Sequence, residues 1–162
     1  TLTGCTAASI APNETFSCTG TYTVTLTVTD NGGLTHTRTQ SVTVTSGSGA
    51  QTYSNGTDVA IRDNATVEST ITVSGRTGNA PSGTPVAVNI VHTYSGDLIV
   101  ELLAPDNTVY TLQNRTGGSA DNIVKTFTTN LSSETINGAW KLRVKDRAST
   151  DTGYINSWSV TF

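Results

Sequence analysis

Between Thr21 and Thr29 apolar and polar residues alternate without a break, with Tyr22, Val24, Leu26 and Val28 in one phase and five threonines in the other. The same two-residue period returns at Ile71 and Val73, at Val86, Val88 and Ile90, and at Leu142 and Val144. A helix would scatter these residues around its axis, whereas a pleated strand gathers them on one face, so the pattern calls for half-buried β-strands. Threonine suits the opposite, solvated face because its β-branched side chain fits a pleated surface. The chain therefore reads as all-β.

Turn chemistry divides the strands. Asp30-Asn31-Gly32-Gly33 closes a hairpin between Thr21–Thr29 and a return strand from Leu34 to Thr45. Ser46 to Ala50, Ser-Gly-Ser-Gly-Ala, has the composition of a flexible joint. Beyond it, Gly, Asn, Asp and Pro clusters separate strands expected at Asp58–Arg62, Val67–Val73, Pro85–Thr93, Leu98–Leu103, Thr108–Gln113, Ile123–Thr128, Trp140–Lys145 and Tyr154–Phe162. Two antiparallel sheets in a jelly-roll sandwich accommodate that number, with Trp140 and Trp158 as anchors. The expected organisation is a partial β module over 1–45, a linker over 46–50 and a β-sandwich domain over 51–162.

Charged residues make up 13% of the 162, with a net charge of −3 and no basic cluster, so the electrostatic footprint of a nucleic-acid surface is missing. Apolar runs are only a few residues long, far short of the roughly 20 needed to span a bilayer. The chain reads as a processed or excised piece of a secreted protein. Cys5 and Cys18 are the two cysteines. A secreted setting favours a disulfide between them, worth on the order of 3 kcal/mol through restriction of the unfolded chain. A pair of buried free thiols is the alternative.

Several ordered motifs resemble one family. Val86 to Pro105 holds two alternating strands around His92-Thr93-Tyr94-Ser95-Gly96-Asp97-Leu98. Asn114 to Asn122, Asn137 to Asp146 and Asp151 to Phe162 follow in order. Together they resemble the P domain (P/Homo B domain) found behind the catalytic domain of subtilisin-like proprotein convertases and many secreted bacterial proteases. The resemblance implies a jelly-roll β-sandwich that supports the folding, stability or substrate access of a protease domain and cleaves nothing itself. Tyr22 to Gly33 and Gln40 to Val44 resemble the last two strands of a PKD-type Ig-like domain, and the cysteine-bearing residues before them resemble bacterial surface Ig-like modules. That sandwich looks incomplete, either because the chain is truncated there or because a neighbouring subunit completes it. An apolar face left open by Tyr22, Val24, Leu26 and Val28 is expected to be covered by another polypeptide.

His36 and His92 are the two histidines, and neither lies in a His-Glu-x-x-His helix. A Gly-x-Ser-x-Gly elbow and a phosphate-binding glycine loop are also missing from the sequence, which argues against catalysis. His92 reads as a satisfied structural histidine at a strand end. Loop carboxylates are the remaining candidates, because calcium takes six to eight hard oxygen ligands that separate loops can supply. The resemblance implies structural calcium at Asp97, Asp146 and Asp151, with Asp63 and Asp121 next. Alternatively, Asp97 and Asp121 cap turns and pair with Arg115, and Asp146 pairs with Lys145 or Arg147. Two functions are open: a non-catalytic C-terminal module of a secreted peptidase, or a structural or adhesive subunit of a cell-surface protein or filament assembled by strand addition. The partner is an upstream protease domain in the first case and a neighbouring identical subunit in the second.

Overall fold

The computed structural model describes residues 20–44 and 49–162. Cys5 and Cys18, with the disulfide expected between them, lie outside the described residues, as does 46–48 of the expected joint. Packing divides the chain between Gly49 and Ala50.

The first unit shows a hairpin of β1 (Gly20–Thr29) and β2 (Thr35–Val44), paired antiparallel over its full length from Gly20 opposite Val44 to Thr29 opposite Thr35. Asp30 makes the turn: its Oδ1 accepts the backbone N–H groups of Gly32 and Leu34 at 2.8 and 2.9 Å. Gly33 takes φ 84°, a conformation costly for any residue with a Cβ. Leu26 and Val28 are exposed, as is Leu34. The side chains of Tyr22 and Val24, expected on the same face, are outside the described ones.

The second unit is a sandwich of two antiparallel sheets. One has the order β5 (Thr66–Val73), β10 (Gly138–Asp146), β7 (Leu98–Leu103), β8 (Val109–Asn114). The other runs β3 (Thr52–Asn55), β11 (Gly153–Thr161), β6 (Thr84–His92), β9 (Ile123–Thr129), and β4 (Val59–Ile61) shares the β11 edge with β3. Eight of these strands follow the expected positions. β3 was not anticipated, and neither was a 3-10 turn over Ser95–Asp97.

Alternation decides what enters the core. In β10, Trp140, Leu142 and Val144 are fully buried, and in β6 so are Val86 and Ile90, with Val88 nearly so. Each large aliphatic side chain removed from water this way stabilises the fold by about 1.5–3 kcal/mol. The buried indole N–H groups are satisfied: Trp140 Nε1 donates to Ile136 O at 2.8 Å and Trp158 Nε1 to Ser69 Oγ at 3.0 Å. Ile155 and Trp158 are both buried although three positions separate them, because a bulge between Ile155 and Ser157 resets the phase of β11.

The period carries past the apolar residues. His92 ends β6 and Asp146 ends β10, each in the inward phase, and both are buried. The outward phase of β10 carries Lys141, Arg143 and Lys145, laced to Glu68 and Glu101. Lys141 meets Glu68 at 3.1 Å, while Arg143 and Lys145 meet Glu101 at 2.7 and 2.9 Å.

Candidate functional site

The end of the sandwich where β6 runs out is built from four loops held mainly by backbone hydrogen bonds. The Ser95–Asp97 turn lies against the loop after β8: Ser95 N–H donates to Ala120 O and Gly96 N–H to Gly118 O, both at 2.9 Å. Glycine is required there because a Cβ on Gly96 would stand 2.9 Å from the backbone of Gly118. Asn122 clamps the start of the junction, donating its N–H to His92 O at 2.8 Å and accepting His92 N–H on Oδ1 at 3.0 Å. From the other sheet, Arg147 N–H donates to Asp97 O at 3.0 Å. His92 to Leu98 is therefore fastened on both sides.

At the surface of this end, an open pocket of about 590 Å³ is lined by Tyr94, Asp97, Arg115, Thr150 and Asp151 among others. Asp151 accepts the Thr93 hydroxyl on Oδ1, and Asp63 accepts Thr150 N–H at 3.1 Å. Thr150 holds φ 91°, a strained conformation for a β-branched residue. Asp97 and Asp151 thus share the pocket, and Asp63 braces its rim through Thr150. Asp121 is exposed in the loop between β8 and β9.

Asp146, paired across the strands with Leu98, is not among the residues that line the pocket. Its Oδ1 accepts Ala148 N–H at 3.1 Å, and its Oδ2 lies 3.7 Å from His92 Nε2, with both side chains fully buried. Among the described residues those two atoms have no hydrogen-bond partner. His92 is therefore only half satisfied, not the fully satisfied histidine expected. Its Nδ1 has the Tyr94 carbonyl at 3.0 Å and the Tyr94 N–H at 3.2 Å, so the role of that nitrogen depends on the tautomer. The expected pairing of Asp146 with Lys145 or Arg147 does not occur. Neighbours along a strand point to opposite faces, and Lys145 is drawn outward to Glu101. Arg115 Nε donates to Gly96 O at 3.5 Å, not to Asp97 or Asp121 as expected.

For a metal, the described residues hold no group of three or more His, Cys, Asp or Glu side chains. The pocket offers two carboxylates with hydroxyl and backbone oxygens around them, a hard donor set that fits calcium better than zinc or copper. Arg115 brings a positive charge to the same wall. The remaining electrostatics lie elsewhere on the sandwich. Burial pushes the Glu101 carboxyl up, but the hydrogen bonds and charges of Lys145 and Arg143 outweigh it and hold the group below its ordinary value of 4.5. Burial, reinforced by Glu134, raises the Tyr110 phenol above its ordinary 10.0.

This chain is similar to leupeptin-inactivating enzyme 1 of Streptomyces exfoliatus, 63% identical over 114 residues, which covers 69% of this chain and 26% of that protein. It is 43% identical over 144 residues to a transglutaminase-activating metalloprotease of Streptomyces mobaraensis, covering 88% of this chain and 19% of that one. A calcium-dependent protease of Nostoc sp. is 35% identical over 113 residues, 64% of this chain and 17% of that protein. The chain thus spans about a quarter or less of the length of these relatives. Among solved structures, a serine protease of Aeromonas sobria matches with a TM-score of 0.51 at 18% identity, over 93% of this chain and 28% of that one, a likeness of fold alone. The model of the proprotein convertase P-domain matches residues 81–162, half of the sequence, and strands β3 and β5 from outside that range complete the same two sheets; the chain belongs to the proprotein convertase P-domain family.

Proposed function

We propose that this chain is a non-catalytic, C-terminal accessory module of a secreted peptidase, which it stabilises. The observation that carries this reading is the family match together with relatives named as proteases, of which the chain corresponds to a fifth or less. The geometry supports it. His92 is the buried histidine; its Nδ1 meets the Tyr94 backbone, and its Nε2, which faces Asp146, hydrogen-bonds no hydroxyl among the described residues, so none of them is placed for it to activate as a nucleophile. Secretion follows from the same kinship, one further relative being named an extracellular basic protease. The test is turnover of casein and a nitrophenyl ester by the purified chain: none is expected, and turnover abolished by His92→Gln would overturn the reading.

We also propose that calcium binds at the pocket, with Asp97 and Asp151 as the carboxylates and backbone, hydroxyl and water oxygens completing the shell. Asp63 would steady Thr150, and Asp146 and Asp121 would act from outside the shell. Millimolar calcium should then raise the melting temperature by mass action, and Asp151→Asn should remove most of that rise. Identical melting curves in calcium and in chelator would refute it.

The hairpin favours a second reading. Leu26 and Val28 are exposed on a two-stranded sheet, which is marginal in water by itself. We assign it to a PKD-like, Ig-like module, and the alternative function to a structural or adhesive subunit built by strand addition. Light scattering separates the two: a monomer at all concentrations speaks for the accessory module, and open-ended growth for the subunit.

A further inference from the structure

Three of the side chains that line the pocket carry charge, Asp97, Asp151 and Arg115, and two carboxylates against one guanidinium leave it at −1. Asp97 is only 7% exposed, yet among the described residues its carboxylate enters no hydrogen bond or ion pair. A carboxylate so far withdrawn from water calls for positive charge beside it. The loop after β8 brings one by construction. Arg115 N–H donates to Leu98 O at 2.9 Å, and Gln113 Nε2 ties the next residue down by donating to Thr116 O at 2.9 Å. Arg115 holds φ 50°, in the left-handed region that few residues other than Gly and Asn adopt. Its side chain reaches back over the Ser95–Asp97 turn, where Nε meets Gly96 O at 3.5 Å. Among the described residues the exposed guanidinium makes no ion pair, so its charge is not spent on another partner.

We propose that Arg115 sets the calcium affinity of this pocket: its tethered charge offsets part of that of Asp97 and Asp151 and opposes entry of a divalent cation, so that occupancy follows the surrounding calcium concentration. This rests on the calcium reading of the pocket and names the residue that regulates it. A single and a double positive charge roughly 6 Å apart in water-like surroundings weaken binding about tenfold. Screening at physiological ionic strength, where the Debye length is about 8 Å, cuts that to about threefold. Without calcium the sign reverses, because the same guanidinium relieves the repulsion between the two carboxylates. Removing it therefore tightens calcium binding and weakens the calcium-free fold, whereas general damage to the loop would lower both.

The test titrates calcium chloride into the full chain and into Arg115→Gln by calorimetry, at low and at physiological ionic strength, and records melting curves of both in chelator. The dissociation constant of Arg115→Gln is expected to be about tenfold lower than that of the parent at low ionic strength and about threefold lower at the higher one. Its melting temperature in chelator is expected to fall. Arg115→Lys, which keeps the charge, is expected to retain the parent affinity. Arg115→Asn, which accepts the left-handed backbone readily, serves should the glutamine variant not fold. If calcium binds parent and neutral variant equally, or the variant more weakly, this inference fails and the calcium reading stands. A gain in affinity that Arg115→Lys shares, or that does not shrink with salt, would trace the effect to side-chain shape and overturn the proposal as well. If calcium binds neither protein and raises neither melting temperature, the calcium reading itself fails, and this inference falls with it.

Discussion

Gly96 is the tightest point in the loop end of the domain, and its replacement gives a magnitude that can be worked through. A Cβ there would sit 2.9 Å from both Gly118 Cα and Gly118 O and 3.0 Å from its nitrogen. All three atoms are backbone, so no flexible side chain can swing aside. Gly96→Ala must push the Ser95–Asp97 turn and the Gly117-Gly118 loop apart, which breaks the 2.9 Å bond from Gly96 N–H to Gly118 O. Overpacking costs about 1–3 kcal/mol. The lost hydrogen bond adds about 1 kcal/mol, for a total of about 2–4 kcal/mol. At about 4 °C per kcal/mol for a domain of this size, calorimetry should show a fall in melting temperature of about 8–16 °C. Gly56→Ala is the control, because nothing lies within 4 Å of the added Cβ. It should be neutral or stabilising by up to about 1 kcal/mol through the unfolded chain. A Gly96→Ala protein melting at the same temperature as the parent would refute the close-approach argument.

Leu142, fully buried at the centre of β10, should cost about 2–5 kcal/mol as Leu142→Ala, read from urea midpoints at unchanged slope. Glu101→Gln loses charge-assisted bonds to Arg143 and Lys145, which are about one-fifth exposed, so a loss of roughly 1–2 kcal/mol is expected at neutral pH. Because the folded value of Glu101 lies below its ordinary 4.5, its contribution is complete above that pH and is lost as pH falls through the folded value. The Glu101→Gln protein should accordingly show a flatter acid limb in stability against pH, and an unchanged limb would assign the acid dependence elsewhere. Tyr110 should titrate spectrophotometrically above the ordinary 10.0, and Glu134→Gln should move it back toward that value.

Period-two patterning made most of the sandwich legible, because burial of one strand face leaves a direct trace in residue order. The same trace reached His92 and Asp146: extending the phase of Val86, Val88 and Ile90, or of Trp140, Leu142 and Val144, by one step puts each inside. Reading Asp146 as a partner of Lys145 or Arg147 ignored that phase. Strand β3 escaped notice because Thr-Tyr-Ser-Asn is short and mostly polar, and it is fixed by its partner β11, with Thr52 and Thr161 hydroxyls 2.8 Å apart. The bulge after Ile155 is likewise set by neighbouring strands and leaves no local signal. The sharing of one pocket by Asp97 and Asp151 depends on which loops meet at an end of the fold, and spacing along the chain carries none of that.

The central claim is that this P-domain chain stabilises a linked peptidase and performs none of its chemistry. The most direct measurement compares the peptidase-bearing polypeptide with and without residues 50–162, following both the thermal inactivation half-life and kcat/KM per folded molecule. The account predicts that removal shortens the half-life several-fold and leaves kcat/KM per folded molecule unchanged. An unchanged half-life with a collapsed kcat/KM would place this domain in the catalytic machinery and contradict it.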